Sequence, residues 1–324
     1  MHSTCPSLLL LGFLAGASPE RPEGSSEVEV FKGVAYREGK DADPDKHRLD
    51  LYLPKGRKDF PVVMLVHGGV WMIGDKSCVG LYSDVGRFLA RQGIGTALIN
   101  YRLSPWVQHP EHVKDVARAF GWLHEHAADF GGDPGQLFVA GHSAGGHLAA
   151  LLATDNTYLK AHGLDSGDIR GVIALSGVHH IPPGNLYVTL GGSTDRAFRL
   201  EQVMPVARLP GWMTARMPAV KGLPVNVDLY GPAFGDDPAV RADASPLNHV
   251  RPGLPPFLLL NAQRDLPTLR AQAEEFCTAL RKEGCDARQM VIKDRNHNSL
   301  MFEATKPDDP VAREMVAFIR AHAH

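Results

Sequence analysis

From residue 28 onward the chain alternates short apolar runs with longer amphipathic stretches. HRLDLYL, at 47–53, alternates polar and apolar positions, as a strand with one buried face does. PVVMLVH, at 61–67, is nearly all apolar, which suits a strand covered on both faces. Residues 95–101 (GTALINY), 137–140, 172–175, 256–261 and 288–293 read the same way. Helical periodicity fills the gaps at 81–91, 113–130, 145–154, 266–282 and 310–322. Strand and helix in turn predict an α/β fold with a mostly parallel sheet and helices on both faces.

One stretch breaks the alternation. Between His180 and Ala244 lie Pro182-Pro183-Gly184, Gly191-Gly192 and Pro210-Gly211, with Leu186, Val188, Met204, Trp212, Met213 and Met217 scattered among them. A structureless link of about 60 residues is far longer than compact domains tolerate, so it predicts a functional insertion. We expect a partly helical cap over the sheet at about 180–243, within a single domain spanning 27–324.

Composition narrows the function classes. The 324 residues are 44% hydrophobic and 22% charged, with a net charge of −2. That near-neutral balance argues against a phosphate-neutralising nucleic-acid binder and against a polybasic membrane-surface protein. No apolar run approaches the roughly 20 residues a membrane span needs. Cys5, Cys78, Cys277 and Cys285 lack CxxC spacing and suggest buried free thiols rather than a zinc site. The apolar run 8–14 followed by Ala15-Gly16-Ala17 reads as a secretory signal peptide, although Met1 to Pro6 holds no Lys or Arg. Export to the periplasm or medium is the corresponding expectation, with 1–26 comprising the signal and a flexible lead-in.

The chemistry is concentrated at the ends of the predicted strands. Gly141-His142-Ser143-Ala144-Gly145 is a G-x-S-x-G between the strand LFVA and a helix, the context of a nucleophile on a sharp strand-to-helix turn. Serine acyl transfer also needs N–H donors for the tetrahedral oxyanion. His67-Gly68-Gly69-Val70-Trp71 follows a strand, so Gly68 or Gly69 is a candidate donor, with Ala144 as its partner. The base should come late in the chain: His297 follows the strand at 288–293. Asp265 follows PFLLLN and is the candidate acid, with Asp294 a rival that lies too near His297 in sequence for easy triad geometry. The order Ser143, Asp265, His297 is that of this fold class. Val70, Trp71, His142, His179 and His180 are the candidate substrate-binding residues, although for His142 the favoured role is loop packing. No metal ligand set and no G-x-G-x-x-G dinucleotide fingerprint is present, and the reaction requires no cofactor.

With these residues in place, the chain resembles the α/β-hydrolase superfamily, in the branch of hormone-sensitive-lipase-like and feruloyl-esterase-like carboxylesterases. The phrases that carry the resemblance are HGGVW (67–71), NYRLSP (100–105), the run from FGGDPG to LLATD (130–155), ASPLNHV (244–250) and NHN (296–298). The resemblance implies an eight-stranded, mostly parallel sheet and the triad Ser143, Asp265 and His297. It departs at Val70, where many lipase-like relatives carry a third glycine, and HGG-x-W is similar to the loop of kynurenine formamidases. The leading expectation is therefore a serine carboxylesterase acting on short-acyl or aryl esters through an acyl-enzyme. An aryl formamidase with the same triad is the alternative. A non-catalytic binding protein on this fold is disfavoured, because all three triad residues are present.

Overall fold

The computed structural model describes residues 27–78, 82–183, 187–190 and 225–323. The expected signal peptide and lead-in at 1–26 lie outside the described residues. So does most of the expected cap, including Leu186, Met204, Trp212, Met213 and Met217, as well as the Val188 side chain.

In chain order the elements begin with β1 (Val28–Ala35), β2 (Arg48–Pro54), β3 (Phe60–Val66), α1 (Tyr82–Arg91) and β4 (Gly95–Ile99). There follow α2 (Glu111–His126), β5 (Gly132–His142), α3 (Ala144–Thr154), α4 (Asn156–Lys160) and β6 (Gly171–Leu175). A short antiparallel pair, β7 (Tyr187–Leu190) and β8 (Val225–Asp228), lies within the link where no strand was expected. The chain ends with α5 (Gly231–Phe234), α6 (Pro238–Asp243), β9 (Phe257–Arg264), α7 (Leu269–Lys282), β10 (Ala287–Asn296), α8 (Ser299–Phe302) and α9 (Pro310–His322).

The main sheet has eight strands in the order β1-β2-β4-β3-β5-β6-β9-β10. β1 and β2 run antiparallel to each other, and β2 runs antiparallel to β4; all other pairings are parallel. The apolar run in β3 shows why both faces are covered. Val62, Met64 and Val66 join the core under α2, α3 and α7, whereas Val63 and Leu65 join the core under α1 and α9. Period-two alternation of an all-apolar strand thus feeds two cores at once. The parallel strands β3, β5, β6, β9 and β10 all end at one edge, and the crevice beyond such carboxyl ends is where open α/β sheets bind ligands. Cys277 and Cys285 are buried thiols that do not pair with each other. No helix of the described residues is long and apolar enough to cross a membrane.

Candidate active site

Ser143 sits between β5 and α3 with φ 56° and ψ −120°, a left-handed backbone that ordinary residues avoid. Such a conformation costs on the order of 1–3 kcal/mol and persists only where its surroundings enforce it. Here the flanking glycines enforce it by permitting close approach. A Cβ on Gly141 would overlap the Gly145 carbonyl, and a Cβ on Gly145 would overlap the Val66 carbonyl. The turn is held from both sides: Ser143 N–H donates to the Leu175 carbonyl at 2.9 Å, and the Ser143 carbonyl accepts from His147 N–H at 3.0 Å. The Ser143 side chain is thereby presented beside the first turn of α3.

Asp265 and His297 meet across 32 residues of chain. His297 Nδ1 donates to Asp265 Oδ1 at 2.8 Å, and the two side chains are 3% and 1% exposed. β10 bulges between Ile292 and Asn296, with Asp294 at φ 58°, before Asn296 pairs again with Arg264 of β9. Asn296 then fixes the turn, its Oδ1 accepting from Asn298 N–H at 3.1 Å and Ser299 N–H at 2.9 Å. The two asparagines of NHN therefore have different roles, and the first aims His297. Asp294 is exposed, and its backbone is tied to Gln263 and Arg264.

His142 closes the arrangement. Its Nε2 donates to the His297 carbonyl at 2.8 Å, and the two rings lie 4.7 Å apart. The residue preceding Ser143 thus packs directly on His297. Burial pulls the His142 pKa down to about 3, so it serves as a neutral packing group.

Asp265 carries more donors than sequence reading suggests. Oδ1 accepts from Leu266 N–H at 2.9 Å as well as from His297. Oδ2 accepts from Ser176 Oγ at 2.6 Å, from Ala262 N–H at 3.2 Å and from Asn261 Nδ2 at 3.3 Å. Burial alone would raise the Asp265 carboxyl, but His297, Ser176 and Leu266 N–H outweigh it and hold the carboxyl below its usual value. Ser176 is fully buried at the end of β6, with φ 47°. In the sequence its one signal is a small polar residue directly after an apolar strand, too common to single it out.

Ser176→Ala tests that support. The loss of one hydrogen bond to a charged group, worth roughly 1.5–3 kcal/mol, should lower kcat by about 10- to 100-fold and leave KM nearly unchanged. The sign in pH follows from the depressed carboxyl. Such a group stabilises the fold above its unfolded value and loses that contribution as pH falls through its folded value. Without Ser176 the folded value rises, so the loss begins at higher pH. Denaturation midpoints measured against pH should show a gap that is widest near neutrality and closes in acid. A gap independent of pH would reduce the hydroxyl to packing.

The oxyanion turn corrects one expectation. Gly68 N–H donates to the Tyr82 hydroxyl at 2.8 Å, so Gly68 is not a free donor. Its contribution is the absence of a side chain: a Cβ there would fall 2.7 Å from the His142 carbonyl oxygen and 3.2 Å from Ser143 Cβ. Gly69, with φ 119°, and Ala144, at the first turn of α3, remain as the candidate pair. His67 braces the turn. Its Nδ1 donates to the Gly68 carbonyl at 2.8 Å, and its ring stacks on Tyr101 at 4.5 Å. Burial pulls its pKa to about 4, which keeps the ring neutral.

Three of the residues expected to bind substrate have other contacts. Trp71 is 2% exposed, and its indole N–H donates to His147 Nδ1 at 3.2 Å. His147 in turn donates from Nε2 to the Ala244 carbonyl at 2.7 Å, so Trp71 ties the oxyanion turn to α3 and the segment after α6. His142 packs on His297, as described. His179 is 1% exposed and stacks on Phe276 at 4.5 Å, against Gly177 beside α3. Val70 is partly buried at φ 49°, and His180 is half-buried, its N–H held by Gln272 Oε1 at 3.1 Å.

A second histidine–aspartate pair shows that such a contact alone does not define a site. His47 Nε2 lies 3.1 Å from Asp115 Oδ1, both fully buried. Arg102 clamps the same carboxylate with contacts of 2.7 and 2.8 Å, and Arg118 adds another at 2.9 Å. No serine elbow adjoins it among the described residues. The arginine of NYRLSP is therefore structural.

The BD-FAE family model matches residues 49–181. The Probable carboxylic ester hydrolase LipM of Mycobacterium tuberculosis is 31% identical over 225 residues, which is 68% of this chain and 45% of that protein. Esterase LipC of the same organism is 33% identical over 241 residues, 72% of this chain and 52% of that protein. The chain thus spans about half the length of the curated relatives it matches. Among solved structures, a truncated carbohydrate esterase from gut microbiota superposes with a TM-score of 0.66 at 19% identity, covering 93% of this chain and 98% of that one. Esterase B from Lactobacillus rhamnosis gives 0.66 at 22% identity, covering 95% and 89%. The chain belongs to the α/β-hydrolase superfamily, and its relatives are named as esterases.

Proposed function

We propose that this chain is a serine carboxylesterase for short-acyl or aryl esters. The observation that carries the reading is the buried Asp265–His297 pair, 2.8 Å apart, at the strand ends beside the Ser143 elbow. His297 takes the Ser143 proton as the hydroxyl attacks the ester carbonyl. Asp265 holds the tautomer that leaves Nε2 free to accept that proton and stabilises the imidazolium that results. Gly69 and Ala144 N–H groups receive the oxyanion; a single donor of this kind is typically worth about 10²–10³ in rate. His297 returns its proton to the leaving alcohol. A water molecule, activated in the same way, then releases the acid from the acyl-enzyme.

The test is a side-by-side rate assay of p-nitrophenyl esters from acetate to decanoate, methyl ferulate and N-formylkynurenine, with Ser143→Ala as blank. Ester turnover that falls with acyl length is the expected result. A dominant formamide rate would transfer the same machinery to amide hydrolysis, and equal rates in the blank would overturn the reading.

A further inference from the structure

A cleft of about 760 Å³ lies behind the oxyanion turn, walled by Met72, Ile73, Leu103, Val107 and Lys46, with Trp106 at its side. Trp106 is 83% exposed, whereas the other exposed large apolar residues among those described, Phe31 and Val291, reach only 37% and 40%. The exposed indole lies beside the apolar side chains of the cleft, so its large ring is open to stack on a ligand bound there.

The loop that carries Trp106 is anchored to the catalytic turn. Ser104 N–H donates to the Trp71 carbonyl at 2.8 Å, and Ser104 Oγ donates to the Val107 carbonyl at 2.8 Å. His112 Nε2, 3.0 Å from Ser104 Oγ, fixes the same hydroxyl. The cleft is also close to the chemistry. The Ile73 carbonyl occupies the space a Cβ on Gly69 would need, and Gly68, one residue earlier, packs against Ser143.

Of the charged residues on the rim, Arg102 is held by Asp115 and Glu111, the Asp43 carboxylate takes the N–H groups of Asp45 and Lys46, and Lys46 Nζ lies 3.5 Å from the Gly74 carbonyl. The indole of Trp106 with Met72, Ile73, Leu103 and Val107 forms an apolar face that suits a flat apolar group, while the charged rim stays toward water. The volume falls in the range of about 300–1,000 Å³ that holds drug-sized molecules, well beyond the needs of an acetyl group. We propose that this cleft is the specificity subsite for the aryl-bearing part of the ester, with Trp106 as its stacking face. The proposal rests on the esterase reading and extends it to a substrate class.

Two measurements test it separately from that reading. Wild type, Trp106→Ala and Trp106→Phe would be assayed on ethyl acetate and on 2-naphthyl acetate. Trp106→Ala should raise KM for the naphthyl ester about tenfold, equivalent to about 1.4 kcal/mol, with kcat and the ethyl acetate rate within twofold of wild type. Trp106→Phe should restore most of the loss. No change in KM, or an equal loss on both esters, overturns the proposal. Calorimetric binding of 2-naphthol to the Ser143→Ala protein reads the cleft without turnover. Binding weakened about tenfold by adding Trp106→Ala supports it, and binding indifferent to Trp106 overturns it. Absence of ester turnover with Trp106-dependent binding would remove the esterase reading and leave the cleft standing.

Discussion

Ser143→Ala is expected to lower kcat on p-nitrophenyl acetate by about 10⁵–10⁶-fold, the scale seen when a triad nucleophile is removed. The substitution deletes one oxygen and leaves the elbow's architecture intact. Its backbone stays at φ 56° because Gly141 and Gly145 still admit the close approach of β5, α3 and β3. Alanine tolerates that left-handed geometry about as poorly as serine, so the thermal midpoint should remain near wild type. A residual rate above water is expected, since Gly69 and Ala144 N–H groups can still stabilise an oxyanion formed by direct attack of water. A rate within tenfold of wild type, in protein that melts normally, would remove Ser143 from the chemistry.

The parts of the fold that were legible are those whose pattern depends on local periodicity. β3, β4 and β6 are buried on both faces and appear as unbroken apolar runs. β1 gave no such signal because it is an edge strand: VEVFKGVA pairs with β2 alone, carries a register slip between Phe31 and Val34, and remains largely exposed. β5 begins at Gly132, five residues before its apolar run, because Gly132 pairs with Phe60 across a bulge. Ser143, Asp265 and His297 could be singled out as candidates because chain order and strand ends narrow the choice among 16 histidines, and the structure brings Asp265 and His297 together. What stayed hidden depends on contacts across long stretches of chain. Ser176 meets Asp265 at a separation of 89 residues, and Tyr82 takes the N–H of Gly68 from α1. Trp71 was expected to face substrate because it adjoins the HGG turn in sequence; at φ 57° its side chain turns away and packs inward. His142 packs inward as well, in the loop-packing role its sequence position suggested.

Asp265→Asn should cost about 10⁴ in kcat, because the amide inverts the hydrogen bonding of His297. In the wild type both carboxylate oxygens accept, one from His297 Nδ1–H and Leu266 N–H, the other from Ser176, Asn261 and Ala262. Asparagine has only one accepting oxygen. Three donors converge on the Oδ2 side, so the amide oxygen is drawn there and its NH₂ turns toward His297. Nδ1 must then accept, the imidazole proton moves to Nε2, and the nitrogen needed as base for Ser143 is blocked. The histidine remains in place while its function is lost, so KM should change far less than kcat. Asp294→Asn is the control: its side chain is exposed, and its backbone contacts survive the substitution, so activity should stay within twofold of wild type. If Asp294→Asn proved the damaging change and Asp265→Asn the silent one, the 2.8 Å Asp265–His297 contact would be structural. The acid would then have to reach His297 from the end of β10 instead of β9.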